Sequence, residues 1–168
     1  MRVAVTGTPG TGKTTATALL DAELEVVHLN EVIEREGLVE GPDPRLDTVV
    51  VDLAAADDWL GGMDDVVIES HLAHRFDADR VIVLRCHPDE LARRLRERGA
   101  GESKIKENVD GEALDLILAE AVEIHGEECV FEIDTTDREP GDVAAEIDAV
   151  IAGQCEPRVG IVSFIDHL

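Results

Sequence analysis

Gly7-Thr8-Pro9-Gly10-Thr11-Gly12-Lys13-Thr14 follows the apolar run Val3-Ala4-Val5 and leads into Thr15 to Leu20 (TATALL). The eight residues fit the spacing G-x-x-x-x-G-K-[ST], which describes a phosphate-binding loop. Glycines at these places let consecutive backbone N–H groups turn inward around phosphate oxygens, in dihedrals that exclude a side chain. Lys13 then reaches the outer phosphates, and the Thr14 hydroxyl is placed to ligate a magnesium ion. A helix opening at the end of the loop adds its partial positive charge. A glycine-rich turn with a chance lysine could match the eight positions, but not the strand before them and the helix after. The pattern predicts a chain that binds a nucleoside triphosphate.

Outward from this loop, four more short runs read as buried strands: Val26-Val27-His28-Leu29, Val66-Val67-Ile68, Val81-Ile82-Val83-Leu84 and Val130-Phe131-Glu132-Ile133. They are rich in β-branched residues and alternate with helical stretches, the signature of a parallel sheet covered on both faces. The fold class expected is therefore α/β, a doubly wound parallel sheet of the P-loop type. Pro88 suits a first helical position, Leu91 and Leu95 repeat at four residues, and Gly99 suits the helix end. Leu114, Ile117, Leu118, Ala121 and Ile124 set one stripe on a helix over 111–127, and Val143, Ile147, Val150 and Ile151 another over 141–152. Asp47 to Leu60 is ambiguous, with a strand-like Val49-Val50-Val51 before a helical Leu53 to Leu60; mostly helix is expected. Gly41-Pro42-Asp43-Pro44 and Gly99-Ala100-Gly101-Glu102-Ser103 read as mobile connections. Ile161-Val162-Ser163-Phe164-Ile165 is an apolar stretch to which pattern assigns no role.

Composition bounds the setting. The 168 residues suit one domain with a real core. No apolar run approaches the ~20 residues of a membrane span, and a core strand at the start leaves no room for a cleavable signal. Cys86, Cys129 and Cys155 are widely spaced and form no C-x-x-C pair, so neither a disulfide framework nor a zinc ribbon is indicated. A cytoplasmic location is the simplest expectation. The net charge is -23, with 38 acidic residues spread along the chain against 15 basic ones. With 44% apolar content in periodic segments, disorder is a poor explanation. A folded domain with an acidic surface and three lysines points to a protein adapted to multimolar salt, where the Debye length falls to about 3 Å near 1 M. Such a surface excludes broad electrostatic attraction to nucleic acid.

Val66-Val67-Ile68-Glu69 has the form of an apolar strand ending in a carboxylate. At the C-terminal end of a parallel strand, Glu69 would face the nucleotide's magnesium or polarise an attacking group. His71 follows as a polar group for the same crevice. A Glu-x-His-x-x-His metal site with His74 is disfavoured, because the spacing is not the helical i, i+4 pair of zinc proteases; His74 is expected at the surface or as a cap. Nine of the fifteen cations fall between Arg75 and Lys106. Within Arg93-Arg94-x-Arg96-x-Arg98, pairing of Glu90 with Arg94 accounts for one. Arg98, at the helix end where a loop begins, is placed to swing over the triphosphate. Asn30, Arg35 and Arg45 are candidates for holding the second substrate.

Taken together the chain resembles the small archaeal and eukaryotic nuclear-type adenylate kinases that also act as ATPases in small-ribosomal-subunit maturation. The resemblance rests on Thr6 to Thr15, Glu69-Ser70-His71, Val83-Leu84-Arg85, Arg94-Leu95-x-Glu97-Arg98-Gly99, Lys104-Ile105-x-Glu107-Asn108-Val109, Glu112-Ala113, Glu120-Ala121 and Ile133-Asp134-Thr135-Thr136. It covers almost everything to about Gly153. It implies a kinase domain over 1–153, with a monophosphate-binding segment near 30–51 and a lid near 97–108, and a tail over 154–168. It implies phosphoryl transfer between ATP and AMP through ADP, with Mg2+ as cofactor and ATP contacts at Gly10, Gly12, Lys13, Thr14, Thr15 and Arg98. Lys13, Glu69, His71 and Arg98 would carry catalysis, and Thr14 and Glu69 the metal. It further implies a small-subunit platform ribosomal protein as partner and a role in ribosomal RNA processing. Another small P-loop kinase, or an ATP-switched assembly factor with little kinase activity, remain open alternatives.

The charge balance generates a test of the solvent. Thermal melts from low to multimolar KCl should show a melting temperature that rises steeply with salt, with cooperative unfolding near physiological ionic strength. A melting temperature independent of KCl would refute the salt-adapted surface.

Overall fold

The computed structural model describes residues 1–43 and 48–168. Five strands form one parallel sheet: β1 (Arg2–Gly7), β2 (Glu25–His28), β5 (Val66–Glu69), β6 (Arg80–Arg85) and β7 (Val130–Asp134), in the order β2-β5-β1-β6-β7. The chain runs to one side of β1 for β2 and β5, then crosses to the other for β6 and β7. The reversal puts a crevice beside the C-terminal end of β1, where ligands of such sheets bind. Alternation along β1 sends Val3 and Val5 to one face and Ala4 to the other. On the first face Val67, Ile82, Leu84 and Ile133 pack against Val143, Ile147 and Val150 of α7 (Pro140–Ile151). On the second, Ile68, Val81, Val83 and Val130 pack against Leu60 of α3 (Leu53–Leu60) and Leu118 and Ala121 of α6 (Leu116–His125). The doubly wound parallel sheet is as the sequence predicts.

The remaining helices are α1 (Lys13–Thr17), α2 (Leu29–Glu36), α4 (Pro88–Glu97) and α5 (Glu102–Ala113). The last two clasp a small cluster of their own, Cys86, Leu91, Leu95, Ile105 and Val109. The link between them is shorter than expected, because α5 starts at Glu102 and takes in Ser103. Gly99 turns the chain at φ +81°, a left-handed conformation that suits glycine.

Three segments bear on the expected boundaries. The ambiguous segment resolves as its two halves read, a strand and then a longer helix: β4 (Thr48–Val51) pairs antiparallel with β3 (Val39–Asp43), and Asp52 then caps α3 by accepting the Ala55 N–H at 2.9 Å. β-branched residues with a backbone partner favour the strand, and the cap sets the helix start one residue later. Gly41 to Asp43, read as part of a mobile connection, belong to β3; Pro44, and with it Arg45, lies outside the described residues. The helix over 111–127 is two helices, broken at Leu114 and Asp115. Asp115 has φ +55° and gives its carboxylate to Arg85. That interaction outweighs the helical pattern, and it leaves Leu114 and Ile124 exposed where one continuous stripe would have buried them.

Arg85, at the end of β6, is 1% exposed. It donates to Glu112 from Nε at 2.9 Å, to Glu132 from Nη1 at 2.7 Å, and to Asp115 and the Glu112 carbonyl from Nη2. Burial acts to lower the guanidinium's pKa, but Glu112 and Asp115 outweigh it and the pKa is raised. The segment after α7 closes this region. Arg158 accepts the Glu132 N–H and donates to the Val130 carbonyl, forming a parallel bridge beside β7, and the Ile161 N–H donates to Glu132 at 2.8 Å. The Phe164 ring lies 5.3 Å from the Arg85 guanidinium. The apolar stretch 161–165 thus anchors the tail through the Phe164 ring, while Ile161 and Ile165 stay exposed.

Replacing Arg85 with alanine would strand two buried carboxylates, Glu112 and Glu132. Loss of one partner of a buried ion pair costs about 3–5 kcal/mol. Denaturation of Arg85→Ala in multimolar KCl should show a loss of that size, and a change below ~1 kcal/mol would show that the network carries little of the fold.

Candidate active site

The loop leaves β1 at Gly7, whose φ is +141°. A Cβ there would lie 2.4 Å from the Leu84 carbonyl oxygen of the neighbouring strand, so no other residue fits. Gly10, at φ +98°, is limited by its left-handed backbone more than by space, since the nearest atom to a Cβ would be the end of the Leu91 side chain of α4, at 2.8 Å. Side chains then pin the loop. Thr8 donates to Glu112 at 2.5 Å, Thr11 donates to the Thr8 carbonyl at 2.9 Å, and Thr135 donates to the Thr11 carbonyl at 3.0 Å. Because Glu112 also accepts from Arg85 and from the Cys86 N–H at 3.0 Å, the loop is tied to the buried ion network.

Lys13 is buried, its ammonium donating to the Gly7 and Thr8 carbonyls at 2.7 and 3.1 Å. Burial pushes its pKa from an ordinary 10.5 to about 8, with Glu69 and Glu112 opposing and Arg98 adding to the shift. Glu69, at the end of β5, is buried and accepts from the Thr14 hydroxyl at 3.2 Å, and lies 2.9 Å from His28 Nδ1. Ser70 donates to Asn30 at 2.7 Å and holds the turn that follows. Burial first, then the Lys13 charge, pushes His71 down to about 4, so its imidazole is neutral near neutral pH.

Three concavities adjoin. Lys13, Thr14, Asn30, Glu69, His71 and Arg98 line a central chamber of about 140 Å³ with Gly10 and Gly12. A larger one of about 360 Å³ shares Gly10, Gly12 and Arg98 with it and continues along Thr15, Arg94 and Arg138. A third of about 450 Å³, walled by Val49 to Ala54 and Arg75, shares His71. Thus Gly10, Gly12, Lys13, Thr14, Thr15, Asn30, Glu69, His71 and Arg98 are gathered around one chamber and its extension. Arg35 is not among them: it lies on the exposed face of α2, paired with Glu36 at 2.9 Å. His74 is fully buried rather than at the surface. Its Nδ1 is 2.8 Å from the Thr6 hydroxyl and its Nε2 2.8 Å from Glu120.

Sequence reasoning missed Arg94, which donates to the Gly10 and Thr135 carbonyls at 3.3 and 3.2 Å besides pairing with Glu90. Its signal was present: it stands one helical turn before Arg98 on α4, hence on the same face. Glu112 carried a signal only as part of the resemblance and His28 only as part of a strand; that Glu112 meets Thr8 of the loop and His28 meets Glu69 emerges only in the fold.

The family model described as AAA domain matches residues 3–115. A protein of Natronomonas pharaonis named "Putative adenylate kinase" is 57% identical over 168 residues, covering all of both chains. One of Halobacterium salinarum with the same name is 54% identical, again over the full length of both. The Methanothermobacter thermautotrophicus relative, also so named, is 44% identical over 92% of this chain and 93% of its own. The chain belongs to this family of P-loop kinases. Among solved structures, a shikimate kinase from Acinetobacter baumannii in complex with shikimate has a TM-score of 0.63 at 19% identity, over 90% of this chain and 93% of that one. Deoxyadenosine kinase from M. mycoides with bound dATP has a TM-score of 0.57 at 12% identity, over 90% and 100%. These two share the fold.

Lys13 gives the site a pH signature. Anionic phosphates beside it favour its protonated form, so its pKa should rise on nucleotide binding. Affinity is then fullest below the free-protein pKa of about 8 and falls by up to about tenfold per pH unit above it. Calorimetry near pH 8.5 in two buffers of different ionisation enthalpy should reveal proton uptake on nucleotide binding, lost in Lys13→Met. Buffer-independent heats at that pH would remove Lys13 from the phosphates.

Proposed function

We propose that the protein transfers the γ-phosphoryl of Mg·ATP to AMP, giving two molecules of ADP. The reading is carried by two concavities of nucleoside size that adjoin the small chamber, one sharing Arg98 with it and the other sharing His71. Pockets of a few hundred Å³ suit small ligands, and one phosphoryl shared between two of them is what a nucleotide kinase needs. The names of the relatives support the same substrate pair.

Lys13 and the loop N–H groups from Gly10 to Thr15 would hold the donor phosphates, while Asn30 and His71 face the acceptor's approach. The oxygen set of Thr14 and Glu69, 3.2 Å apart, suits magnesium, which prefers one or two protein oxygens and keeps its waters. When bound with the nucleotide, that ion neutralises phosphate charge. Arg98, at the turn joining α4 to α5, is the cation that closes over the transferred group, and residues near 97–108 are the lid. Arg35 and Arg45 remain candidates for the AMP phosphate from the 30–51 segment. Catalysis of this type is positioning plus charge stabilisation.

A second reading, ATP hydrolysis, is favoured by the neutral imidazole of His71 beside the chamber, an acceptor that can orient water. Small-subunit maturation with a platform ribosomal protein, implied by the resemblance, would use that hydrolysis as its switch. The acidic surface and the haloarchaeal relatives support work at multimolar salt.

A coupled assay in multimolar KCl should show ADP formation that depends on AMP over other acceptors and falls at least about hundredfold in folded Lys13→Ala. His71→Ala should lower hydrolysis of ATP alone more than it lowers AMP phosphorylation. Equal losses in the two reactions would deny His71 a hydrolytic role, and ADP formation indifferent to AMP would sink the kinase reading.

A further inference from the structure

Among the described residues, one group of three side chains offers metal-ligand atoms that all lie within 4.8 Å of one another: His87, Asp89 and His167. It stands away from the phosphate chamber, where the 3-10 turn Ile165–His167 crosses the start of α4. His87 Nδ1 and His167 Nε2 each lie 3.8 Å from a different oxygen of Asp89. The two imidazoles meet edge to face, with centroids 5.8 Å apart.

The group is held before any ion arrives. The His87 N–H donates to the Thr136 hydroxyl at 2.9 Å, and its ring packs against Phe164 with centroids 5.5 Å apart. Its Nδ1 accepts the Asp89 N–H at 3.3 Å, a long bond that an ion at Nδ1 would replace. On the other side, Phe164 over Arg85 and the Arg158 bridge to β7 fix the path that delivers His167. Two elements distant in sequence, the start of α4 and the 3-10 turn of the tail, therefore converge with two imidazoles and one carboxylate.

The geometry points to a binding site for one zinc-class divalent ion at His87, Asp89 and His167, fastening the tail to the start of α4. Two imidazoles select zinc, cobalt, nickel or copper over magnesium and calcium, which take oxygen ligands. With metal–ligand bonds of about 2.0–2.2 Å, tetrahedral ligand atoms sit roughly 3.3 Å apart. The group must then tighten by about 1–1.5 Å. Asp89 and His167 can supply this by side-chain rotation, being 79% and 30% exposed. Three protein ligands leave a fourth position for water or chloride.

Cobalt(II) and zinc(II) are the probes, added to nucleotide-free protein in multimolar KCl with excess Mg2+ to occupy the acidic surface. Expected are one Co2+ per chain with the strong visible absorption of four-coordinate cobalt, displacement by Zn2+, and reversal by EDTA. At a Zn2+ concentration about a hundred times Kd the melting temperature should rise by roughly 5–10 °C. Asp89→Asn and His167→Ala should each weaken binding at least tenfold and abolish that rise, and His167→Gln repeats the test with a larger side chain. Surface substitutions of this kind leave the metal-free melting temperature nearly unchanged. Wild-type affinity in any of the three variants, or no binding above the Mg2+ background, overturns the site.

Discussion

The buried guanidinium of Arg85 is the interaction on which the other parts depend. A cation sealed inside a protein is tolerable only when every donor is met by charge or dipole, and here the partners come from four places. Glu132 brings β7, Glu112 brings the end of α5, Asp115 breaks the chain between α5 and α6, and Phe164 brings the tail. Glu112 also accepts from Thr8, so the carboxylate that satisfies the ion holds the phosphate loop. Stability and site geometry thus share one set of bonds. Any movement of α5 is felt at the loop through a single side chain.

The sequence made the parallel sheet legible because its five strands are continuous apolar runs, and the loop because its glycines and lysine keep fixed spacing. Glu69 and Arg98 were legible from their places at element ends. The β3–β4 hairpin was not, since Val49–Val51 can be helix or strand until Val39–Asp43 supplies a partner. Nor was the break at Asp115, where a helical pattern yields to a charge recruited from β6. His74 was misplaced for a related reason. An imidazole reads as a surface group in sequence, and only Thr6 on one side and Glu120 on the other make its burial affordable.

Scarcity of cations sharpens the site. With 15 basic residues in 168, those that reach the nucleotide crevice stand in a field that is otherwise negative. Lys13, Arg94, Arg98 and Arg138 line the chamber or its extension. In such a field a polyphosphate has few alternative places to rest, so the crevice gains selectivity from what surrounds it as well as from what lines it.

The bridge between Arg158 and β7 has a consequence for association. An outermost strand presents unpaired N–H and C=O groups on which a second molecule can build, and many proteins deter this with charge. At multimolar salt that deterrent loses its range, because repulsion dies within about 3 Å. Backbone pairing does not depend on ionic strength. By laying its own chain along β7 through the Glu132 and Val130 groups, the protein blocks this sheet margin by geometry, a barrier that holds at any ionic strength.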